Sequence, residues 1–334
     1  MNGATMELAA DVDRVVAELR DGERFLLTTH EGPDGDALGS LLALHRILTQ
    51  LGKDSIMFLA AKEFPLPVEY RFLPLEEVFH EPPVDLVDRT VVFLDCGNID
   101  RMPVDFLRRR DGGPVLNIDH HHDNTRFGTV NLVDTEASCT AEIVYGIAQR
   151  LGAEITPAIA GALYVALVTD TGRFMYQNTG PAAHRMAADL IEAGVNVDDI
   201  FRRLYERVPI EKLRLTARAL EHTQRLEDGA LAITYISAED YAAAGAEEVL
   251  TEGIIDYVRA LEGTDLAAVV RDRSDGDSSA RKVSLRSTSG AIDVSEIARR
   301  HGGGGHARAA GFSTDLPYQE LVEMLRAELA ARAS

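Results

Sequence analysis

In the stretch RFLLTTHEGPDGDALGSLLALHRILTQL, residues 24–51, a short apolar run passes through a turn into a helix. The run at 24–29 predicts a buried strand that ends at His30. Gly32, Pro33 and Gly35 mark the turn. Residues 37–51 then carry apolar side chains at helical spacing until Gly52 stops them. The same alternation extends outward. Residues 54–60 (DSIMFLA), 90–94 (TVVFL) and 114–118 (PVLNI) read as further strands, and helical patterns at 104–110, 138–151 and 157–168 separate or follow them. Upstream, Leu8, Val12, Val15, Val16 and Leu19 share one helical face, so a helix precedes the first strand. Strands alternating with helices imply an α/β fold built on a doubly wound, mostly parallel sheet.

Residues 182–193, 197–205 and 210–225 read as helices, the last polar enough to bridge two domains. Beyond it the pattern restarts. It gives a strand at 230–236, a helix at 249–261 and strands at 266–271 and 282–287 joined by a turn at 276–280. A helix at 294–300, a glycine-rich loop and a terminal helix at 318–332 follow. The expected division is a first domain at 1–195, a helical linker at 196–215 and a smaller α/β domain at 216–334.

Length and composition agree with two globular domains: 334 residues, 46% hydrophobic and 26% charged. The net charge of −20 argues against a partner such as long nucleic acid, which needs a basic stripe. It leaves room for a short anionic substrate in a locally basic or metal-filled pocket. Cys96 and Cys139 are too few for a disulfide framework and fit a reducing cytosol. The first twenty residues lack the apolar core of a signal peptide, and the run at 160–168 is too short to span a bilayer. These features predict a cytoplasmic protein without membrane contact; a homodimer is compatible with them.

His and Asp collect where the apolar segments end. His30, Asp34 and Asp36 follow the first strand, Asp95 closes FLD, and Asp119, His120, His121 and His122 close NIDHHH. Asp170 ends the apolar run ALVTD. A single aspartate at such a place is ordinarily a helix cap or turn former. Four segments delivering imidazole and carboxylate to one sheet edge are a ligand site, because open parallel sheets bind ligands beyond the carboxyl ends of their strands. Several carboxylates gathered without cations would force one another to protonate. The oxygen-rich, thiolate-free donor set suits Mn²⁺, Mg²⁺, Fe²⁺ or Zn²⁺ and leans to Mn²⁺. Two divalent ions could clamp a phosphoryl group and activate water for in-line attack.

The segments HEGPDGDALGS, FLDCG, NIDHH and VTDTGRF resemble the four metal-site motifs of the DHH phosphoesterase superfamily. HGGGGHARAAG, residues 301–311, resembles the signature of the DHH-associated C-terminal domain. The resemblance spans nearly the whole chain and is nearest to the branch that joins oligoribonuclease and PAP phosphatase activity. It implies that His30, Asp34 and Asp95 hold one metal ion. Asp36, Asp95, His120 and Asp170 would hold a second, with Asp95 bridging. It further implies that His121 contacts the substrate phosphate and assists the leaving oxygen, and that Asp119 orients a histidine. His122 has no counterpart role. The implied substrates are short RNA and 3′-phosphoadenosine 5′-phosphate. Alternatives are a cyclic di-AMP or pApA phosphodiesterase and a non-catalytic nucleotide sensor; a sensor would have lost a metal ligand, and none is missing.

The glycines of the C-terminal motif, Gly303, Gly304 and Gly305 among them, would let backbone N–H groups converge on an anion, with His306 and Arg308 as added donors. Residues 271–308 hold eight Lys/Arg against five Asp/Glu inside an acidic chain, which marks a local anion site. The resemblance implies that this domain grips the nucleotide end of the substrate. Arg286 is on the strand face that also carries Lys282 and Ser284. Arg173 either touches substrate or caps a turn. His45 and Cys96 read as packing residues.

Overall fold

The computed structural model describes residues 3–101, 113–273, 281–288 and 292–331 and divides the chain into two units, Met1–Arg207 and Val208–Ser334. The first unit contains α1 (Gly3–Asp21), β1 (Arg24–Thr28), α2 (Gly35–Gln50), β2 (Asp54–Met57), β3 (Thr90–Leu94), β4 (Val115–Asp119) and β5 (Val130–Val133). They are followed by α3 (Thr140–Leu151), α4 (Pro157–Asp170), α5 (Pro181–Glu192) and α6 (Val197–Phe201). The five strands are all parallel in the order β2-β1-β3-β4-β5. From β1 the chain runs outward to β2 and then crosses back to β3 and beyond, so the crevice between the ends of β1 and β3 is the switch point where such sheets bind ligands.

A parallel sheet must be covered on both faces. On one face Phe25, Leu27, Val92 and Leu94 pack against Leu38, Leu41, Val144 and Leu163 from α2, α3 and α4. On the other, Leu26, Val91 and Phe93 pack with Phe58 and Cys96. The apolar run at 160–168 lies inside α4, whose residues Ala162–Val168 are all buried, so its uniform hydrophobicity reflects the core. Among the described residues no helix is long and apolar enough to cross a membrane.

Helices α2 and α4 approach closely because Gly39 has no side chain. A Cβ there would lie 2.5 Å from the Ala162 carbonyl oxygen and 2.8 Å from the Ala166 methyl. Gly39→Ala is therefore expected to lose about 1–2 kcal/mol net, since overpacking a core outweighs the ~1 kcal/mol that Ala gains in a helix. A melt followed by circular dichroism should show a lower midpoint; an unchanged or raised midpoint would mean that the two helices separate freely.

Several sequence expectations shift. Strand β2 is shorter than 54–60, and only Phe58 continues it, as a bridge to Phe79. Strand β5 was not expected; its four residues are too few to show a period. The helix expected at 197–205 is α6 followed by a π turn at Arg202–Glu206. The helix expected at 104–110 and the turn at 276–280 lie outside the described residues.

The second unit contains α7 (Ile210–Glu221), β6 (Gln224–Leu226), β7 (Leu231–Ile236), α8 (Ala238–Ala244), α9 (Ile254–Arg259), β8 (Leu266–Asp272) and β9 (Arg281–Ser287). It ends with α10 (Val294–Arg300), β10 (Gly304–His306), β11 (Ala309–Thr314) and α11 (Tyr318–Ala330). Its sheet has the order β10-β11-β9-β8-β7-β6, with only β7 and β8 parallel. The helix read as a bridge is α7, and it belongs to this unit's core: Leu215 and Ala219 pack on Ala232 and Ala267. The helix expected at 249–261 is broken by Gly253, whose φ is +80°, into a 3₁₀ turn and α9. The glycine-rich loop is partly the strand β10, hydrogen-bonded to β11, which the sequence pattern did not suggest.

Candidate metal centre

The carboxyl ends of β1, β3 and β4 and the last turn of α4 bring the first unit's expected ligands together. His30 follows β1 and is 5% exposed. Its Nδ1 lies 2.9 Å from the Glu31 carbonyl oxygen, which turns Nε2 toward Asp95 Oδ2 at 3.5 Å. Asp34 caps α2 by accepting the backbone N–H groups of Asp36 (3.0 Å) and Ala37 (3.1 Å). Capping and presenting a ligand oxygen are compatible, because only Oδ1 is used by the cap. Asp36, in the first turn of α2, is buried.

Asp95 follows β3 with a φ of +56°. A left-handed non-glycine residue costs about 1–3 kcal/mol and recurs where function fixes the backbone; aspartate is among the residues that tolerate it. The Asp95 N–H donates to the Ile118 carbonyl at 3.0 Å, which anchors this turn to β4. His120 Nε2 lies 3.6 Å from Asp95 Oδ1, 3.8 Å from Asp170 Oδ2 and 3.9 Å from Asp36 Oδ2. Asp119, fully buried, receives the His120 N–H (2.8 Å) and His121 Nδ1 (2.7 Å) on Oδ1 and Asn124 Nδ2 on Oδ2 (2.5 Å). Ligand atoms of His30, Asp34 and Asp95 lie within 4.8 Å of one another, and so do those of Asp36, His120 and Asp170. Asp95, Asp119 and His121 form a third such group. His122 is exposed.

The charges are out of balance as they stand. Burial, with Asp95, Asp170 and Asp34 nearby, pushes the Asp36 carboxyl well above its usual range. Burial and the same kind of repulsion push Asp170 up to about 7, against the opposing pull of His120. For Asp95 burial acts upward too, but the bond to His30 and the nearby His121 and His120 hold the carboxyl below its usual range. Carboxylates forced toward protonation beside imidazoles are a donor set that divalent cations would relieve. These residues fit metal ions.

Besides Asn124 on Asp119, three residues of this centre were not expected from the sequence. Thr140, Asn178 and Ser40 bond directly to the carboxylates: Ser40 Oγ donates to Asp36 Oδ1 (3.0 Å) and Asn178 Nδ2 to Asp170 Oδ2 (3.0 Å). The available signal was the Ser138–Glu142 spacing ahead of an amphipathic helix. There the Glu142 carboxylate accepts from the Ser138 N–H (2.9 Å) and Oγ (2.6 Å) and shapes the turn that carries Thr140. Arg173 is exposed, has a φ of +63° and stacks over the Tyr205 ring with its guanidinium carbon 5.2 Å from the centroid.

In the second unit, His306 is opposite Ala309 on β11, and Ala309 is opposite Arg286 on β9. Alternation puts Arg286, Ser284 and Lys282 on the face opposite the buried Val283, Leu285 and Ser287. Beside them β11 presents the small Ala309, Gly311 and Ser313. The result is a partly exposed face with cationic side chains, on which Lys282 Nζ lies 3.6 Å from Glu248 Oε1 and Ser284 Oγ accepts from Arg271 at 3.1 Å. Arg308 is in the turn between β10 and β11, where its carbonyl accepts the Ser287 N–H at 3.0 Å. Gly303 and Gly305 serve close packing: a Cβ on Gly303 would lie 2.1 Å from the Gly311 carbonyl oxygen, and one on Gly305 2.4 Å from that of Ala309. The Gly303 N–H is spent on the Ala298 carbonyl at 2.9 Å. Gly304 has no such contact and pairs with Gly311.

Residues 24–167 match the DHH family, N-terminal domain, and residues 229–333 match the DHHA1 domain. The bifunctional oligoribonuclease and PAP phosphatase NrnA of Thermus thermophilus is 36% identical over 333 residues, covering 97% of this chain and 94% of that protein. The crystal structure of an exopolyphosphatase-related protein from Bacteroides fragilis superposes with a TM-score of 0.83 at 22% identity, covering 97% of this chain and 96% of that one. RecJ of Thermus thermophilus, solved in complex with Mn²⁺, superposes with a TM-score of 0.52 at 18% identity over 98% of this chain and 54% of RecJ.

Proposed function

Because this chain belongs to the DHH family and carries a DHHA1 domain, we propose that it is a metal-dependent phosphoesterase of short oligoribonucleotides and of 3′-phosphoadenosine 5′-phosphate. The observation that carries this reading is the convergence of four carboxylates and two histidines at the sheet's switch point, with two of the carboxyls driven toward protonation. His30, Asp34 and Asp95 would hold one divalent ion, and Asp36, Asp95, His120 and Asp170 a second, Mn²⁺ being the candidate. When bound, such ions supply Lewis-acid activation of water and neutralise the phosphoryl oxygens. Asp95 serves both groups because its two oxygens face opposite sides, Oδ2 to His30 and Oδ1 to His120. Asp119 fixes the His121 ring through Nδ1, and His121 would contact the substrate phosphate and donate a proton to the leaving oxygen. The platform of Arg286, Ser284 and Lys282, with His306 and Arg308 at its margin, would receive a nucleotide. The net charge of −20 favours short substrates, since distant phosphates would be repelled.

The test is product release in Mn²⁺ from pApA, a five-nucleotide RNA, 3′-phosphoadenosine 5′-phosphate and cyclic di-AMP side by side. Fast turnover of the linear RNAs and the bisphosphate is expected. Cyclic di-AMP as the best substrate would move the protein to second-messenger turnover, and no turnover of any would leave a nucleotide-binding protein. Arg286→Ala is expected to raise KM for pApA about tenfold with kcat nearly unchanged, the loss of one charged hydrogen bond of about 1.5 kcal/mol. An unchanged KM would remove Arg286 from the binding surface.

A further inference from the structure

We propose that Thr140 is a positioning residue for the metal centre, fixing Asp36 and Asp95 in one frame and setting the plane of the Asp95 carboxylate. The inference rests on the reading that these carboxylates hold metal. Thr140 is fully buried and is the first residue of α3. Its Oγ1 donates to Asp95 Oδ1 at 3.0 Å, while its backbone N–H donates to Asp36 Oδ2 at 2.6 Å. The next N–H, of Ala141, donates to Asp36 Oδ1 at 3.0 Å. One residue thus bonds two carboxylates that the chain delivers from separate elements, and the N-terminal end of α3 favours their negative charge.

The side chain does something the backbone cannot. The Asp95 carboxylate can turn about its Cβ–Cγ bond, and its plane is set by the groups around it. Thr140 Oγ1 holds the oxygen that also faces His120 (3.6 Å) and His121 (3.5 Å), while the other oxygen faces His30. Asp170 is tied to the same turn independently, since Asn178 Nδ2 donates to both Asp170 Oδ2 (3.0 Å) and the Ser138 carbonyl (2.8 Å). Removing the hydroxyl therefore takes away the tie between Asp95 and α3 and loosens the carboxylate's plane, while Asp36 keeps its backbone donors and Asp170 its amide. Groups that orient metal ligands from outside change metal affinity by about 10–100-fold when lost.

The experiment is Mn²⁺ titration of metal-stripped wild type, Thr140→Val and Thr140→Ser, followed by calorimetry, with kcat and KM for pApA measured at saturating Mn²⁺. Thr140→Val is expected to weaken Mn²⁺ binding about 10–100-fold and to lower kcat with KM little changed. Thr140→Ser, which keeps the hydroxyl, is expected to bind within about threefold of wild type. Equal Mn²⁺ affinity in Thr140→Val and wild type would overturn the proposal. So would a loss in Thr140→Ser as large as that in Thr140→Val, because it would point to packing of the methyl. If Thr140→Val does not fold, Thr140→Ala compared with Thr140→Ser carries the same test. Absence of Mn²⁺ binding by wild type is a separate outcome that would sink the metal-centre reading, and this inference with it.

Discussion

Asp95→Asn is expected to lower hydrolysis of pApA at least about a thousandfold while leaving the protein folded. Asp95 is the one carboxylate facing both ligand groups, 3.5 Å from His30 and 3.6 Å from His120. On the proposed two-ion reading, losing its charge removes an anionic ligand from both positions at once. If each position contributes several kcal/mol to stabilising the developing charge, a loss of about 4 kcal/mol already gives three orders of magnitude. Asparagine is the informative replacement because the position has a φ of +56°, which asparagine tolerates as aspartate does. The amide can still accept from Thr140 Oγ1. A folded variant, checked by circular dichroism and thermal midpoint, should thus be inactive. Activity within tenfold of wild type would show that Asp95 does not bridge, and the two-ion arrangement would fall.

The parallel sheet was legible because buried strands and amphipathic helices write different periods, and β1, β3 and β4 fall within a residue of their expected bounds. The expected ligands were legible for a related reason: the ends of those strands are where the chain leaves the core, so a His or Asp there is conspicuous. What escaped was set by tertiary packing. Thr140 looks like any small residue opening a helix; only the fold reveals that it faces Asp36 and Asp95. The glycine-rich segment was only partly legible on the same ground. Its glycines suggested backbone N–H groups converging on an anion, and the fold adds a packing reason: Gly303 lies against Gly311 across the hairpin. Strand β11 alternates too weakly for its small residues to announce a strand, and they matter only because they flatten the surface beside Arg286.

Chelation should abolish activity, and the stripped protein should carry a pH signature. Burial and neighbouring carboxylates push Asp170 up to about 7, whereas in an unfolded chain an aspartate ionises near 3.9. Between these values the folded state holds a proton that the unfolded state has released. Stability of the metal-free protein must therefore fall as pH rises from about 4 to about 7, and the full penalty is present above 7. Asp36, pushed upward as well, contributes with the same sign. A divalent ion must displace that proton, so Mn²⁺ affinity should run the opposite way: about fivefold weaker at pH 6 than at pH 7, and nearly flat above about pH 8. The two trends have one cause, repulsion among buried, clustered carboxylates, and they meet in a single observation. Added Mn²⁺ should raise the thermal midpoint by much more at pH 8 than at pH 5. Melts of stripped and Mn²⁺-loaded protein at the two pH values decide it. A metal-free midpoint that rises through this window, with Mn²⁺ stabilising equally at both ends, would mean that Asp170 and Asp36 are not ligands to a common ion.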